Sequence, residues 1–369
     1  MTAAIEAVFA RFGGDLVDPP IVMPAALPLE LSGEAVRARL CIFTDNHNRD
    51  VALRPDLTLP LALDEISKRR AGRTGQQTSR YASRVFRLPA SSDDPAEFVQ
   101  IGCERYGDVS GPEIDAEIYA AVVDASAAGG ASAGLSRFGD LAIFDAFVGT
   151  LGLQKSVEDT LRRAFREDGG ISAVLNGAPG KSNAFAAQLK NVSAADAEAL
   201  VSEMMDVAGI ELVGTRRLEE VVTRLLEQAN DGDISAVSDE IRTTLNELVN
   251  IDVEMTAAVD RLAALAKTAG SSSVDDALNA LASRHDRILK ETPSFLQNAR
   301  FSVTFGRRFN YYDGFVFEIS DPDGDPARPF GAGGRYDRLL AKLSNKDVDT
   351  SAIGGVVRPD RLPAGVSQP

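Results

Sequence analysis

Arg307-Arg308-Phe309-Asn310-Tyr311-Tyr312-Asp313-Gly314-Phe315-Val316-Phe317-Glu318 is a run rich in aromatic and β-branched residues, and Phe330-Gly331-Ala332-Gly333-Gly334-Arg335-Tyr336-Asp337-Arg338-Leu339-Leu340 follows it after a short break. Residues of the first type suit the half-buried pleat of a strand. Asp321, Pro322, Asp323, Gly324 and Asp325 form the break, so the spacing predicts two strands joined by a turn, the second becoming a helix after its glycines. Gly331, Gly333 and Gly334 carry no Cβ and let backbone or ligand approach closely. Arg335 and Tyr336 are expected beside an open surface.

Two more strands are predicted upstream. In Tyr81 to Leu88, a period of two puts Arg87 on the face of Val85 and Ser83. In Glu97 to Tyr106, Phe98, Gln100, Gly102 and Glu104 share one face, and Ile101 and Cys103 the other. Polar side chains on either side of a glycine fit a solvated face with a packing glycine or a ligand pocket. Leu53-Arg54-Pro55-Asp56-Leu57-Thr58-Leu59-Pro60 sets a carboxylate and a hydroxyl two residues apart between prolines, an arrangement suited to an ammonium group.

Nearer the N-terminus, Ile5, Val8, Phe9 and Phe12 recur at helical spacing up to Gly13-Gly14. Asp18-Pro19-Pro20 forces an extended segment. Cys41 to Asp45 and Asp50 to Arg54 read as a hairpin closed by Asn46-His47-Asn48-Arg49, with His47 a solvated turn residue. Ser126 to Gly134 reads as a flexible link. Helical stripes follow: Leu200, Val201, Met204 and Met205 after Ser193; Leu218, Val221, Val222, Leu225 and Leu226 after Thr215; and others around Ile241, Leu245, Leu278 and Leu281. Ser193 and Thr215 fit as N-caps, the stripes as core, and His285 as an ordinary surface or core histidine. Leu175-Asn176-Gly177-Ala178-Pro179-Gly180-Lys181-Ser182 ends like a phosphate loop but has Leu175 where its first glycine belongs, so a surface loop is expected.

At 369 residues and 44% hydrophobic content the chain can fill two domains with ordinary cores. Cys41 and Cys103 form no CxxC pair, and His47 and His285 stand apart with no HExxH, so neither a structural zinc nor a catalytic metal is expected. There is no basic leader before Glu6 and no run of about 18 apolar residues, which predicts a cytoplasmic protein rather than an exported or membrane-inserted one. A formal net charge of −15 argues against a polyanionic partner such as nucleic acid.

Tyr311-Tyr312-Asp313-Gly314-Phe315-Val316-Phe317-Glu318 and Phe330-Gly331-Ala332-Gly333-Gly334-Arg335-Tyr336 resemble the histidine-pocket motifs of the histidyl-tRNA synthetase family. The resemblance implies an α+β class II synthetase-like fold, an antiparallel sheet flanked by helices with a helical insertion. It divides the chain into a first core part at 1–125, a mostly helical middle at 126–299 and a second core part at 300–369. It marks Pro19 or Pro20 as a dimer contact. It also implies a ligand pocket of Asp56, Thr58, Arg87, Gln100, Glu104, Arg307, Tyr311, Tyr312 and Tyr336. In that pocket Asp56, Thr58 and Gln100 would hold an amino group and Arg307, favoured over Arg308 by ungapped spacing, a carboxylate. Glu104 with a tyrosine hydroxyl would address an imidazole.

The ATP-binding motifs of the synthetases are altered. After Arg87 stands Leu88-Pro89-Ala90-Ser91-Ser92-Asp93-Asp94-Pro95, whose aspartates would repel a triphosphate. Arg361 is kept, but Arg358 and Pro359 are expected to obstruct a nucleotide. The sequence stops at Pro369, short of an anticodon-binding domain of about 100 residues. In these respects the chain resembles the ATP phosphoribosyltransferase regulatory subunit family. That resemblance implies a non-catalytic subunit, without cofactor, of a cytoplasmic hetero-octamer of four regulatory and four short-form catalytic chains. Such a complex performs the first step of histidine biosynthesis under feedback by histidine. The competing expectations are a histidine-activating class II ligase and a stand-alone scaffold on the same fold.

Overall fold

Twelve strands form among the residues described by this computed structural model, which are 1–32, 34–90, 94–167, 169–176, 188–190, 192–208, 218–229, 237–268, 274–306 and 311–363. They are β1 (Asp15–Leu16), β2 (Val22–Pro24), β3 (Ile42–Thr44), β4 (Asp50–Leu53), β5 (Gln77–Phe86), β6 (Glu97–Gly107), β7 (Leu135–Asp140), β8 (Asp252–Glu254), β9 (Arg300–Ser302), β10 (Phe315–Ser320), β11 (Gly331–Arg335) and β12 (Ser351–Val357). Nine make one sheet in the order β1-β5-β6-β12-β11-β10-β7-β9-β8, antiparallel except for the pairs β1–β5 and β7–β9. The other three, β2-β4-β3, include the expected hairpin and carry His47 in its exposed turn.

The expected glycine-rich pair is β10 and β11, followed by the helix Leu339–Leu343. Its first strand starts at Phe315 rather than at Arg307. Residues 307–310 lie outside the described residues, and 311–314 lead into the strand as a turn.

Register divides the large sheet into two unlike faces. On one, Cys103, Gly355, Gly333, Phe317 and Phe138 lie in a row under the helix Pro112–Ala128. A Cβ on Gly355 would stand 2.6 Å from Val122, so this glycine sets how near the helix can come. Ile118, Tyr119 and Val122 are fully buried there, each contributing about 1.5–3 kcal/mol. Tyr119 meets the edges of Phe138 and Phe317, both with centroids at 5.1 Å.

The same alternation corrects the expectation for Arg335. It shares the face of Gly331 and Gly333, so it points beneath the helix rather than to an open surface. Its Nε donates to Asp115 Oδ1 at 2.9 Å, and Asp115 Oδ2 accepts from Arg284 Nε at 2.7 Å. Arg284 Nη1 reaches Asp140 Oδ2 at 2.8 Å. All four side chains are buried. His285 beside them is 3% exposed against Phe138 and Phe301. Burial, then the Arg284 charge, push its pKa down to about 3, so it is a neutral core residue.

Two units separate along the chain, Met1–Ala146 with Asn250–Pro369, and Phe147–Val249. The inserted unit is therefore narrower than the expected 126–299, because β7 and β8 lie inside that span yet join the large sheet. The helix Pro112–Ala128 also runs through Ser126, whose Oγ donates to Val122 O at 2.7 Å. Alanine-rich sequence favours continuing a helix, and the expected link starts only at Gly129.

The inserted unit packs Ala197 and Val201 against Val222 and Ala229, with Met205, Leu218, Val221, Leu225 and Leu226 around them. Ser193 caps its helix, accepting from Asp196 N at 3.2 Å. Leu200 and Met204, expected in the core, are 44% and 49% exposed, since the helix Ala194–Ala208 turns the Ala197-Val201-Met205 stripe inward. Thr215 and residues 177–182 of the loop after Leu175 lie outside the described residues.

Candidate functional site

On the other face of the large sheet two rows of residues run beside a cavity, which Glu104 and Gly354 of one row and Tyr81, Val356, Ala332 and Glu318 of the next help to line. One row is Ser79, Glu104, Gly354, Gly334 and Val316; the next is Tyr81, Gly102, Val356, Ala332 and Glu318. The glycines make the hollow. A Cβ on Gly354 would overlap the Glu104 carboxylate, one on Gly102 would come 2.8 Å from the Tyr81 hydroxyl, and one on Gly334 would come 2.8 Å from the Tyr312 ring. The cavity volume is about 190 Å³, below the roughly 300–1,000 Å³ of sites that take drug-sized molecules.

Glu104 is the centre of the floor and is 1% exposed. Its Oε1 accepts from Thr58 Oγ1 at 2.8 Å and from the Tyr81 hydroxyl at 3.3 Å, while Oε2 accepts a short bond from Tyr336. Burial pushes its carboxyl up to about 7, against the pull of the Tyr336, Thr58 and Tyr81 hydroxyls and with the push of the Asp56 charge.

Asp56 and Thr58 stand at the start of the helix Thr58–Arg70, just after Pro55. Asp56 Oδ1 accepts from Leu59 N at 3.1 Å and so caps the first turn. The side chain is buried, lines the cavity, and has the Tyr311 hydroxyl beside it to hold its charge. Burial raises the Asp56 pKa, opposed chiefly by Arg87. Gln100, 7% exposed, lines the same space. The rings of Tyr311, Tyr312 and Tyr336 make its wall, with centroids 4.9–6.5 Å apart.

The opposite end is basic. Arg87 Nε donates to Pro55 O at 2.7 Å, with its guanidinium 5.5 Å from the Phe98 ring centre. Arg358 lies over the same ring at 3.5 Å and pairs with Asp360 at 2.6 Å. Arg39 and Arg361 complete this end, and each pairs with Asp94, at 3.6 and 3.4 Å. Burial, then the Arg358 charge, bring the Arg361 pKa down to about 10. Arg358, expected to obstruct a nucleotide, lies against Phe98 as part of the wall of this end.

Of the expected pocket residues, Asp56, Thr58, Arg87, Gln100, Glu104, Tyr311, Tyr312 and Tyr336 all line this one cavity. Arg307 lies outside the described residues. Tyr81, Gly354, Glu318 and Arg39 line it too and had not been singled out. The sequence held a signal for Tyr81, which shares a face with Ser83 by the same period of two that placed Arg87. Among the described residues no cluster of His, Cys, Asp and Glu could hold a metal ion.

Gly354→Ala tests the floor. The added methyl has nowhere to go but into the Glu104 carboxylate, so a loss of about 1–3 kcal/mol is expected in urea unfolding. A Gly354→Ala protein as stable as the parent would mean that the floor is not closed in this way.

Comparison with known proteins follows the same lines. The histidyl-tRNA synthetase family model matches residues 1–208 and 200–362. A protein of Chelativorans sp. (strain BNC1), described as an ATP phosphoribosyltransferase regulatory subunit, is 31% identical over 94% of this chain and 92% of its own length. One of Mesorhizobium japonicum with the same description is 31% identical over 99% and 96%. A solved structure from Bacillus halodurans, described as an ATP phosphoribosyltransferase regulatory subunit/histidyl-tRNA synthetase, superposes with a TM-score of 0.64 at 20% identity, covering 99% of this chain and 78% of that one. The fold is that of the class II, histidyl-tRNA synthetase-like proteins.

Proposed function

Since this chain belongs to the family of ATP phosphoribosyltransferase regulatory subunits, we propose that it is a non-catalytic chain that binds histidine and works through a short-form catalytic partner. The observation that carries the ligand is the meeting in one cavity of two buried carboxylates, Asp56 and Glu104, with Thr58, Gln100 and Tyr336. Two carboxylates buried together call for a donor from the ligand, because a buried acceptor short of partners costs about 1–3 kcal/mol, or more if charged. An ammonium group meets that need beside Thr58 and Gln100. Glu104 and the Tyr336 hydroxyl then face the ring, and Arg87, the cavity arginine nearest Asp56, faces the carboxylate. A zwitterion with a hydrogen-bonding side chain fits both ends at once.

The proposed complex is the cytoplasmic hetero-octamer, and regulation requires only a coupling of about 1–3 kcal/mol between histidine and assembly. Self-association has a candidate surface in the small sheet. Val22 and Phe43, 46% and 45% exposed, share a face with Pro24, Val51 and Leu53. The net charge of −15 supports a reading without nucleic acid. No helix among the described residues is long and apolar enough to cross a membrane.

Titration calorimetry with histidine, on this chain alone and mixed with its catalytic partner, tests the proposal. Saturable heat from this chain is expected, lost in Asp56→Asn, together with activation of the partner. Absence of heat in both samples, or a partner equally active and equally inhibited without this chain, overturns it. Histidine-dependent exchange of pyrophosphate into ATP, expected to be absent, would instead mark a histidine-activating ligase.

A further inference from the structure

Arg39, Arg328 and Arg361 come from three distant parts of the sequence and meet at one carboxylate. Asp94 lies 3.6 Å from Arg39 Nη2, 3.6 Å from Arg328 Nη2 and 3.4 Å from Arg361 Nη2, and its side chain is only 10% exposed. Guanidiniums brought together repel one another, most where water is scarce, as at Arg361, whose side chain is 11% exposed. An anion among them relieves that repulsion, and the chain supplies its own in Asp94.

Two of these arginines, Arg39 and Arg361, line the cavity that holds Asp56 and Glu104. A phosphate-bearing ligand entering there would have to displace Asp94 from both, or sit against its charge. Guanidinium forks bind carboxylate and phosphate by the same paired geometry, so the two anions compete for the same donors. We propose that Asp94 is a specificity-determining residue, an internal anion that holds the arginine end of the cavity and excludes phosphate-bearing ligands. This deepens the reading of the cavity as an amino-acid site, on which it rests for the identity of the admitted ligand. It differs from simple repulsion by an acidic loop, because Asp94 stands among the arginines themselves and accepts from Arg361 Nη2 at 3.4 Å.

Inorganic pyrophosphate is the probe, titrated in phosphate-free buffer into the full-length chain, its Asp94→Ala variant and the isosteric Asp94→Asn variant. Circular dichroism and a cooperative thermal transition establish that each is folded, and the asparagine variant serves if the alanine variant is not. The expected result is at least tenfold tighter pyrophosphate binding in the variant than in the parent. The gain should disappear when Arg361→Met is added. A parent that binds pyrophosphate as tightly as the variant, or two folded variants that bind no better than the parent, overturns the assignment. If pyrophosphate binding rises as expected but none of the proteins binds histidine, the exclusion by Asp94 stands and the amino-acid reading falls. Histidine binding without the pyrophosphate gain removes Asp94 alone.

Discussion

Asp115→Ala is expected to lower the stability of the unit formed by Met1–Ala146 and Asn250–Pro369 by about 3–5 kcal/mol, the usual effect of removing one member of a buried ion network. Asp115 is 1% exposed and is shared by two arginines that are themselves buried. Arg335 donates to its Oδ1 from Nε at 2.9 Å and from Nη2 at 2.6 Å, and Arg284 donates to its Oδ2 at 2.7 Å. Without it, Arg284 keeps Asp140 and the face of the Phe315 ring 4.6 Å away, and Arg335 keeps Asp337 and Val109 O. Two guanidinium charges would then share too few acceptors beneath a helix that admits little water.

Urea unfolding reads the effect as a drop in midpoint at unchanged slope, since the surface exposed on unfolding should be nearly the same. A loss below about 1 kcal/mol would mean that the network contributes little beyond its packing. A second comparison separates net stabilisation from the penalty of a broken pair. Replacing Asp115, Arg284, Arg335 and Asp140 together by apolar residues of similar volume should be far less harmful than Asp115→Ala alone, because isolated buried charge is what destabilises.

The network also marks where sequence reasoning reached and where it stopped. Alternation along β11 places Arg335 with Gly331 and Gly333, and that much was legible. Which face of the strand lies under the helix Pro112–Ala128 was not, because that depends on packing between segments far apart in sequence. Gln100, Gly102 and Glu104 could be placed on one face from a single strand, and the structure puts Gln100 and Glu104 in one cavity with Asp56 and Thr58. Tyr81 and Gly354 needed the register of β6 against both neighbours, which pairs Tyr81 with Gly102 and Gly354 with Glu104. Asp94 could be read only as local charge, since its three arginines come from positions 39, 328 and 361. Patterns within one element were thus readable, and convergence between elements was not.

Glu104→Gln should flatten the acid side of the pH–stability profile and weaken histidine binding together. In the folded protein burial pushes the Glu104 carboxyl up to about 7 from an ordinary 4.5, so the folded state holds this proton more tightly than the unfolded chain does. Its contribution to stability is then full below pH 4.5, falls as pH rises through that window, and is gone above about pH 7. At about 1.4 kcal/mol per unit the whole effect is on the order of 3 kcal/mol. Glutamine keeps the shape and a carbonyl acceptor for Thr58 and Tyr81 but cannot titrate, so that fall should vanish from unfolding curves taken between pH 4.5 and 7. A smaller slope of the same sign should remain, because burial raises the pKa of Asp56 as well. For the ligand, the lost carboxylate removes a charge-assisted hydrogen bond worth about 1.5–3 kcal/mol, or roughly 10- to 150-fold in affinity at neutral pH. The two readouts have one cause, the placing of an ionisable group in a dry cavity where only its neighbours or a ligand can satisfy it. A Glu104→Gln protein that kept the parent's pH profile while losing histidine would show a carboxylate already ionised without ligand. One that kept histidine affinity would put the ligand elsewhere in the molecule.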